Sequence, residues 1–310
     1  MIRKCAMPEF PRRSHTGRDR AAVVGATAYF IVVTAAVVGV IGHALQEMAV
    51  SGNELDDHRA IRAANAAVAS IRGKLSGTAV DNAVWDDAFK AVTSDNARDW
   101  TYENWGKVSE DYEFYDAAIV TGPDGSVLSA HLKGRPFDPY SFIGRSALER
   151  HLSDTPATEP AVGFTMSANG PAVIASAAIR PYDDGHRGNG TKVSFLLFLD
   201  DQLVSDTAAT FGLEGLSFAK TRADDELSVP LTDTSGNEIG ALNWPGRHPG
   251  TTTLAGVRHH LSQAAALTGL LLLSLAYAGH RVYRRLRLAA DRAIRDAAHD
   301  PLTGLLNRKG

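Results

Sequence analysis

The residues of this 310-residue chain best suited to chemistry are a few aromatics, two neighbouring carboxylates and one arginine. Asp81-Asn82-Ala83-Val84-Trp85-Asp86-Asp87 is followed by Trp100-Thr101-Tyr102-Glu103-Asn104-Trp105, with Tyr115 and Arg180 further along. Asp86 and Asp87 are adjacent, so on a helix they point about 100° apart and cannot work together as an acid–base pair. No serine or cysteine nucleophile with a plausible base, no phosphate-cradling glycine loop and no His-Glu-x-x-His pattern is present. The 11 histidines are scattered without ligand spacing, and Cys5 is the only cysteine. These residues therefore point to binding rather than catalysis. Trp85, Asp86, Tyr115 and Arg180 are the candidate contacts to a small-molecule ligand. Aromatics supply area, and a few polar groups fix orientation. Each also has a structural reading. Tryptophans commonly fill a core, and Arg180, just before Pro181 at a strand end, suits a structural carboxylate as well as an anionic ligand.

Two uncharged runs bracket these residues. Ala21–Gln46 carries no formal charge over 26 residues, about 39 Å of helix at ~1.5 Å per residue, against a ~30 Å hydrocarbon core. Leu261–Gly279 is a second such run, of 19 residues. One charge at mid-bilayer costs about 2.5–3.5 kcal/mol, so both runs read as membrane spans. The first is longer than the ~7–15 residues of a signal-peptide core and lacks a small-x-small exit, which favours an uncleaved anchor. Arg3, Lys4, Arg12, Arg13, Arg18 and Arg20 precede the first run. Arg281, Arg284, Arg285, Arg287, Arg292 and Arg295 follow the second. Basic flanks stay inside, which predicts two cytoplasmic ends. Between Glu47 and His260 stand 18 Lys and Arg against 30 Asp and Glu, a difference of −12. An acidic exported domain between basic flanks predicts contact with anionic lipid and no nucleic-acid partner.

The expected layout is a cytoplasmic tail at 1–20, a span at 21–46, an extracytoplasmic domain at 47–257 and a second span at 258–280. A signalling helix follows at 281–299, then the start of a further domain at 300–310. With Cys5 on the cytoplasmic side, the exported part must hold together by its core alone.

Within that part, Ile61, Ala64, Val68, Ile71 and Leu75 recur in steps of three and four, predicting an amphipathic helix over about 55–75. Its apolar stripe suits either its own sheet or a second copy of the chain. Strands are predicted at 117–120 and 127–130, joined by a Pro123-Asp124-Gly125 turn. Residues 136–159 read as mixed loop and helix. Strands are predicted again at 172–180 and 192–200, separated by a polar loop at 183–190. The run Val193–Leu199 is apolar on both faces, as expected of a central, doubly covered strand. A short helix at 203–211, short strands near 216–219, 227–231 and 239–242, and a Pro/Gly connector at 244–250 complete the domain. The fold class is α+β: a PAS- or Cache-like domain with a long N-terminal helix and an antiparallel sheet, flanked by two transmembrane helices.

Two resemblances add to this reading. Val84-Trp85-Asp86-Asp87, the hairpin from Asp116 to Leu128 with its Asp124-Gly125 turn, and Ile179-Arg180-Pro181 with the strand to Asp200 resemble the fourth class of CHASE-type extracellular sensory domains. That likeness spans roughly residues 50–215. His299-Asp300-Pro301-Leu302-Thr303-Gly304-Leu305-Leu306-Asn307-Arg308 contains the pattern D-x-L-T-G-L-x-N-R, which resembles the opening of GGDEF-type diguanylate cyclase domains. The resemblance implies a cyclase domain beyond residue 310 that condenses two GTP into cyclic di-GMP with Mg²⁺. It also implies a homodimer, because two cyclase halves must face each other. Asp300 and Arg308 match family positions that steady the junction with the signalling helix and are not catalytic. Val282, Leu286, Ala289 and Ala293 step by four, three and four; in a dimer they would form a seam, and otherwise the segment is a lone amphipathic juxtamembrane helix with its Arg face on lipid. The expected protein is a bacterial inner-membrane cyclase. Residues 1–310 would be its sensory portion, with no catalytic residue and no cofactor of their own. The alternatives are a stand-alone membrane receptor, or the input half of a bifunctional cyclase and phosphodiesterase.

Overall fold

The computed structural model describes residues 16–182 and 188–298. Cys5, most of the polar 183–190 loop, Asp300 and Arg308 lie outside the described residues. The chain divides into two compact units, one of residues 54–248 and one of the helical segments before and after them.

Helix α1 runs unbroken from Thr16 to Ala83, 68 residues. The first predicted span and the amphipathic helix are thus one element, since no proline interrupts residues 16–83. It ends where Trp85 turns extended, at φ −151° and ψ 122°. In the 54–248 unit its stripe packs inward: Ala64, Ala67, Ile71, Leu75, Ala79 and Ala83 are buried, and Ile61 and Val68 lie against the same core.

That core is one face of a six-stranded antiparallel sheet. Its strands are β1 (Ala117–Thr121), β2 (Val127–Leu132), β3 (Arg135–Pro136), β4 (Ala161–Ser167), β5 (Gly170–Ala178) and β6 (Lys192–Phe198), in the order β3-β2-β1-β6-β5-β4. Side chains alternate across the sheet as the period of two requires. Ala118, Val120, Val173, Ala175, Val193 and Phe195 face α1. Ala117, Ile119, Ala172, Ile174 and Leu196 face the opposite way. There they meet two short helices, α4 (Pro139–Ile143) and α5 (Arg145–Ser153), through Ile143, Leu148 and Leu152. Strand β6 is central and covered on both sides, as its sequence predicts. The hairpin turn forms as predicted: Asp124 accepts from the Ser126 N–H at 3.0 Å and Gly125 takes φ +82°.

Between α1 and β1 lie α2 (Asp86–Val92), α3 (Ala97–Thr101), a π-helical turn at Tyr102–Gly106 and a 3₁₀ turn at Val108–Glu110. After β6, Asp200 caps α6 (Asp201–Phe211) by accepting from the Leu203 N–H at 2.8 Å. A small sheet follows, β7 (Ser217–Ala219), β8 (Leu227–Thr232) and β9 (Glu238–Trp244), ordered β7-β9-β8. Its Val229, Leu231, Leu242 and Trp244 join the α1 core.

Three expectations are corrected. The sequence marks no strand at 161–167, yet β4 forms there and pairs along its whole length with β5. Trp244 is no connector residue: it closes β9, pairs with Leu227 and is buried. The connector read at 244–250 ends earlier than expected, because helix α7 already starts at Pro249 and runs 50 residues to Ala298.

In the second unit, α1 and α7 are each long and apolar enough to cross a membrane, by length and composition. The two helices come close at Asn53 and Gly250. The Asn53 side chain accepts from the Gly250 N–H at 2.8 Å and the Thr251 N–H at 3.3 Å, capping the first turn of α7 from the neighbouring helix. A Cβ on Gly250 would overlap the Ala49 carbonyl oxygen, so only glycine fits. We expect Gly250→Ala to lower the stability of the full chain in detergent micelles by about 1–3 kcal/mol. Gly39→Ala, where nothing lies within 4 Å, should be neutral. Equal thermal midpoints for the two variants would refute the close approach.

Candidate functional site

The structure brings three of the four sequence-predicted ligand residues together. Val84 and Arg180 form a parallel bridge between the end of α1 and the residues after β5. The Trp85 N–H donates to the Arg180 carbonyl at 3.2 Å, and the Asp86 carboxylate accepts from the Tyr182 N–H at 2.7 Å. Arg180 donates through Nη1 to the Ala157 carbonyl at 3.3 Å, and its buried Nε has no partner among the described residues. Asp86 is thus held by backbone, and Arg180 in part.

Trp85 is 37 % exposed and begins an inward run of rings. Trp85 meets Trp100 at 5.0 Å between centroids, and Trp100 meets Trp105 edge-on at 5.2 Å. Trp105 meets Phe195 at 6.2 Å, and Phe195 meets Tyr115 at 4.4 Å. Trp105 is buried and donates from Nε1 to the Asn82 side chain at 2.9 Å. Tyr115, the fourth residue, is a core residue: its hydroxyl donates to the Trp105 carbonyl at 3.2 Å, and burial pushes its phenol pKa up. Such ring pairs add about 0.5–1.5 kcal/mol each beyond area burial, so this run chiefly welds the segment after α1 to the sheet.

A cavity of about 200 Å³ lies at the β4 edge of the sheet, bounded by α5, β4, β5 and the β8–β9 turn. Ala147, Phe164, Met166, Ile174 and Ile239 make its apolar wall; Arg150, His151, Thr165, Asp233 and Thr234 are the polar lining. Helix α5 positions two of these because Leu148 and Leu152 anchor its apolar side in the core. Its polar side grips the turn. Arg150 stands 3.5 Å from Asp233, and Asp154 accepts from the hydroxyls of Thr234 and Ser235 at 3.1 and 3.0 Å. Asp233 in turn accepts from the Ser235 and Asn237 N–H groups at 2.9 and 2.8 Å. Burial opposes ionisation of Asp233, but the hydrogen bonds from Asn237 and Ser235 and the Arg150 charge hold its carboxyl below the usual range.

His151 is 5 % exposed and its Nε2 has no hydrogen-bond partner among the described residues. Burial pushes its pKa down to about 4; Asp154 and Asp233 pull upward, while Lys192 pushes further down. The imidazole is therefore neutral near pH 7, a hydrogen-bonding group in a chamber whose lining is about half polar and half apolar. Convergent polar groups beside an apolar wall suit a small-molecule site. Among the described residues no group of three His, Cys, Asp or Glu side chains is placed to hold a metal. Sequence reasoning missed this site because His151 and Asp233 are 82 positions apart and neither belongs to a motif. The only local signal was the Asp233-Thr234-Ser235-Gly236-Asn237 turn.

A pH dependence follows. A free histidine titrates near 6.5 and His151 in the folded chain near 4, so between those values the unfolded chain binds the extra proton. Stability should fall as pH drops from about 6.5 to about 4 and level off below, by up to about 3 kcal/mol from this residue. Urea denaturation of the full chain across that range should show a shallower slope for His151→Leu. An unchanged slope would show that His151 is not held neutral.

No curated protein matches the chain. Two solved structures of the periplasmic domain of Vibrio cholerae LuxQ are similar to it, each at 11 % sequence identity. They cover 63 % and 62 % of this chain and 100 % and 96 % of their own, with TM-scores of 0.41 and 0.38. Residues 67–219, just under half of the chain, match the CHASE4 domain, a family of extracellular sensor domains.

Proposed function

We propose that this chain is the sensory and membrane-anchoring part of a transmembrane diguanylate cyclase. One observation carries the reading: a segment matching an extracellular sensor domain is bracketed by two helices of membrane-crossing length and apolarity. The 54–248 unit lies outside the cytoplasm, α1 and α7 cross the bacterial inner membrane, and both ends are cytoplasmic. The basic residues before the first span and after the second support that orientation. The His151 cavity receives a small molecule with one apolar and one polar face, and its occupancy biases the helices that leave the domain. Trp85, Asp86 and Arg180 tune that response by tying the end of α1 to the sheet.

The output assignment rests on Asp300-Pro301-Leu302-Thr303-Gly304-Leu305-Leu306-Asn307-Arg308, with Asp300 and Arg308 steadying the junction. GTP and Mg²⁺ belong to the cyclase domain that this segment opens. Val282, Leu286, Ala289 and Ala293, all exposed on α7, supply the seam of a homodimer. Such a seam lets a helix rotation or shift pass from sensor to enzyme.

Alkaline phosphatase fused after Gly170 should be active in intact bacteria, and the same enzyme fused after Arg292 inactive. The reverse pattern would overturn the topology and the receptor reading with it. The output is tested separately: an in-frame Gly-Gly-Asp/Glu-Glu-Phe signature beyond codon 310 supports the cyclase, and a stop codon excludes it.

A further inference from the structure

A second cavity, of about 240 Å³, lies where α1 meets the loop after α6 and the ends of β8 and β9. Phe211, Leu227 and Trp244 give it apolar surface, and four charged side chains line the rest. Arg247 and Glu214 neutralise each other through a 2.7 Å ion pair. Asp56 and Arg59, one helical turn apart on α1, make no ion pair or hydrogen bond with each other or with any described residue. Trp244 is 2 % exposed, and its indole Nε1–H has no acceptor among the described residues. A buried donor left unpaired costs about 1–3 kcal/mol, which an occupant bearing an acceptor would recover.

We propose that this cavity binds a small zwitterion of the α-amino acid class. The open charges are one guanidinium and one carboxylate, so a ligand carrying one carboxylate and one ammonium balances both, whereas a simple anion or cation leaves one uncompensated. The Arg59 guanidinium takes the ligand carboxylate through its forked donors. The indole N–H donates to that same carboxylate, the Asp56 carboxylate accepts from the ammonium, and the ligand side chain lies against Phe211 and Trp244. The place matters as much as the chemistry. Asp56 is three residues beyond Asn53, and Arg247 is two residues before Pro249, where α7 begins. An occupant therefore ties α1 to the strand end that runs into α7. The site is separate from the His151 cavity and does not depend on the cyclase assignment.

The test is isothermal titration of the full chain in lipid nanodiscs with the standard L-amino acids in turn, L-phenylalanine included. At least one should bind saturably, and its analogues lacking either the carboxylate or the ammonium should bind about tenfold or more weakly. Arg59→Ala and Asp56→Asn should each cost a similar factor, and Trp244→Phe a smaller one, while Gly39→Ala leaves binding intact. Arg59 is exposed and Asp56 half-buried, so unchanged circular dichroism and thermal midpoints would show that these variants fold. The proposal fails if no amino acid binds, if binding survives both α1 substitutions within about twofold, or if an analogue with a single charge binds as tightly as the parent.

Discussion

The dominant constraint on residues 54–248 is that the six-stranded sheet must be kept dry on both faces. Strand β1 is buried at all five positions, and β5 is buried from Ala172 to its end. A sheet of this kind needs a separate cover on each side, and the chain provides two of different character. The α1 side is sealed by alanines and large aliphatics that let a helix lie close. Among the described residues the far side is covered chiefly by α4 and α5, five and nine residues long. Short helices leave gaps, and the His151 cavity is the gap between α5, the edge strand β4 and the β8–β9 turn. Site and cover thus have a common origin: one wall of the cavity is apolar because it is the unfinished edge of a core, and the other is the polar side of α5 with the turn it grips.

Several polar groups inside this core are matched. Ser176 and Ser194 sit opposite each other on β5 and β6 and share a hydrogen bond at 2.5 Å. Asp116 takes the Phe198 N–H at 2.8 Å and is paired with the Lys133 ammonium, which fixes the start of β1 against β6. Against that background the orphaned atoms carry information, since each costs free energy that better packing would have removed. His151 Nε2 and Trp244 Nε1 belong to residues that line cavities.

Much of the architecture was legible in the sequence because it rests on local rules. Alternation marked β1 and β2, the Pro123-Asp124-Gly125 turn fixed their hairpin, and the doubly apolar run at 193–199 announced the central strand. Strand β4 was illegible for a physical reason. Its Gly163 sits where a Cβ would meet the backbone of Thr234 at 2.7 Å, so a residue that weakens strand propensity is demanded by packing. The same tertiary contact hid the cavity, whose walls come from segments that only the fold unites. The Trp85–Arg180 region was half legible: the residues do meet, but chiefly through their backbones and through a ladder of rings that ends in the core.

The unbroken course of α1 has a mechanical corollary. Within the 54–248 unit its last 30 residues make a rod about 45 Å long at ~1.5 Å per residue. A rod without a joint cannot absorb movement by flexing at one spot. A tilt of about two degrees about its Ala83 end would carry residue 54 sideways by about 1.6 Å, comparable with the ~1–2 Å helix shifts that switch other allosteric proteins. Adjustments too slight to disturb the packing around Leu75 would therefore arrive magnified at residue 54.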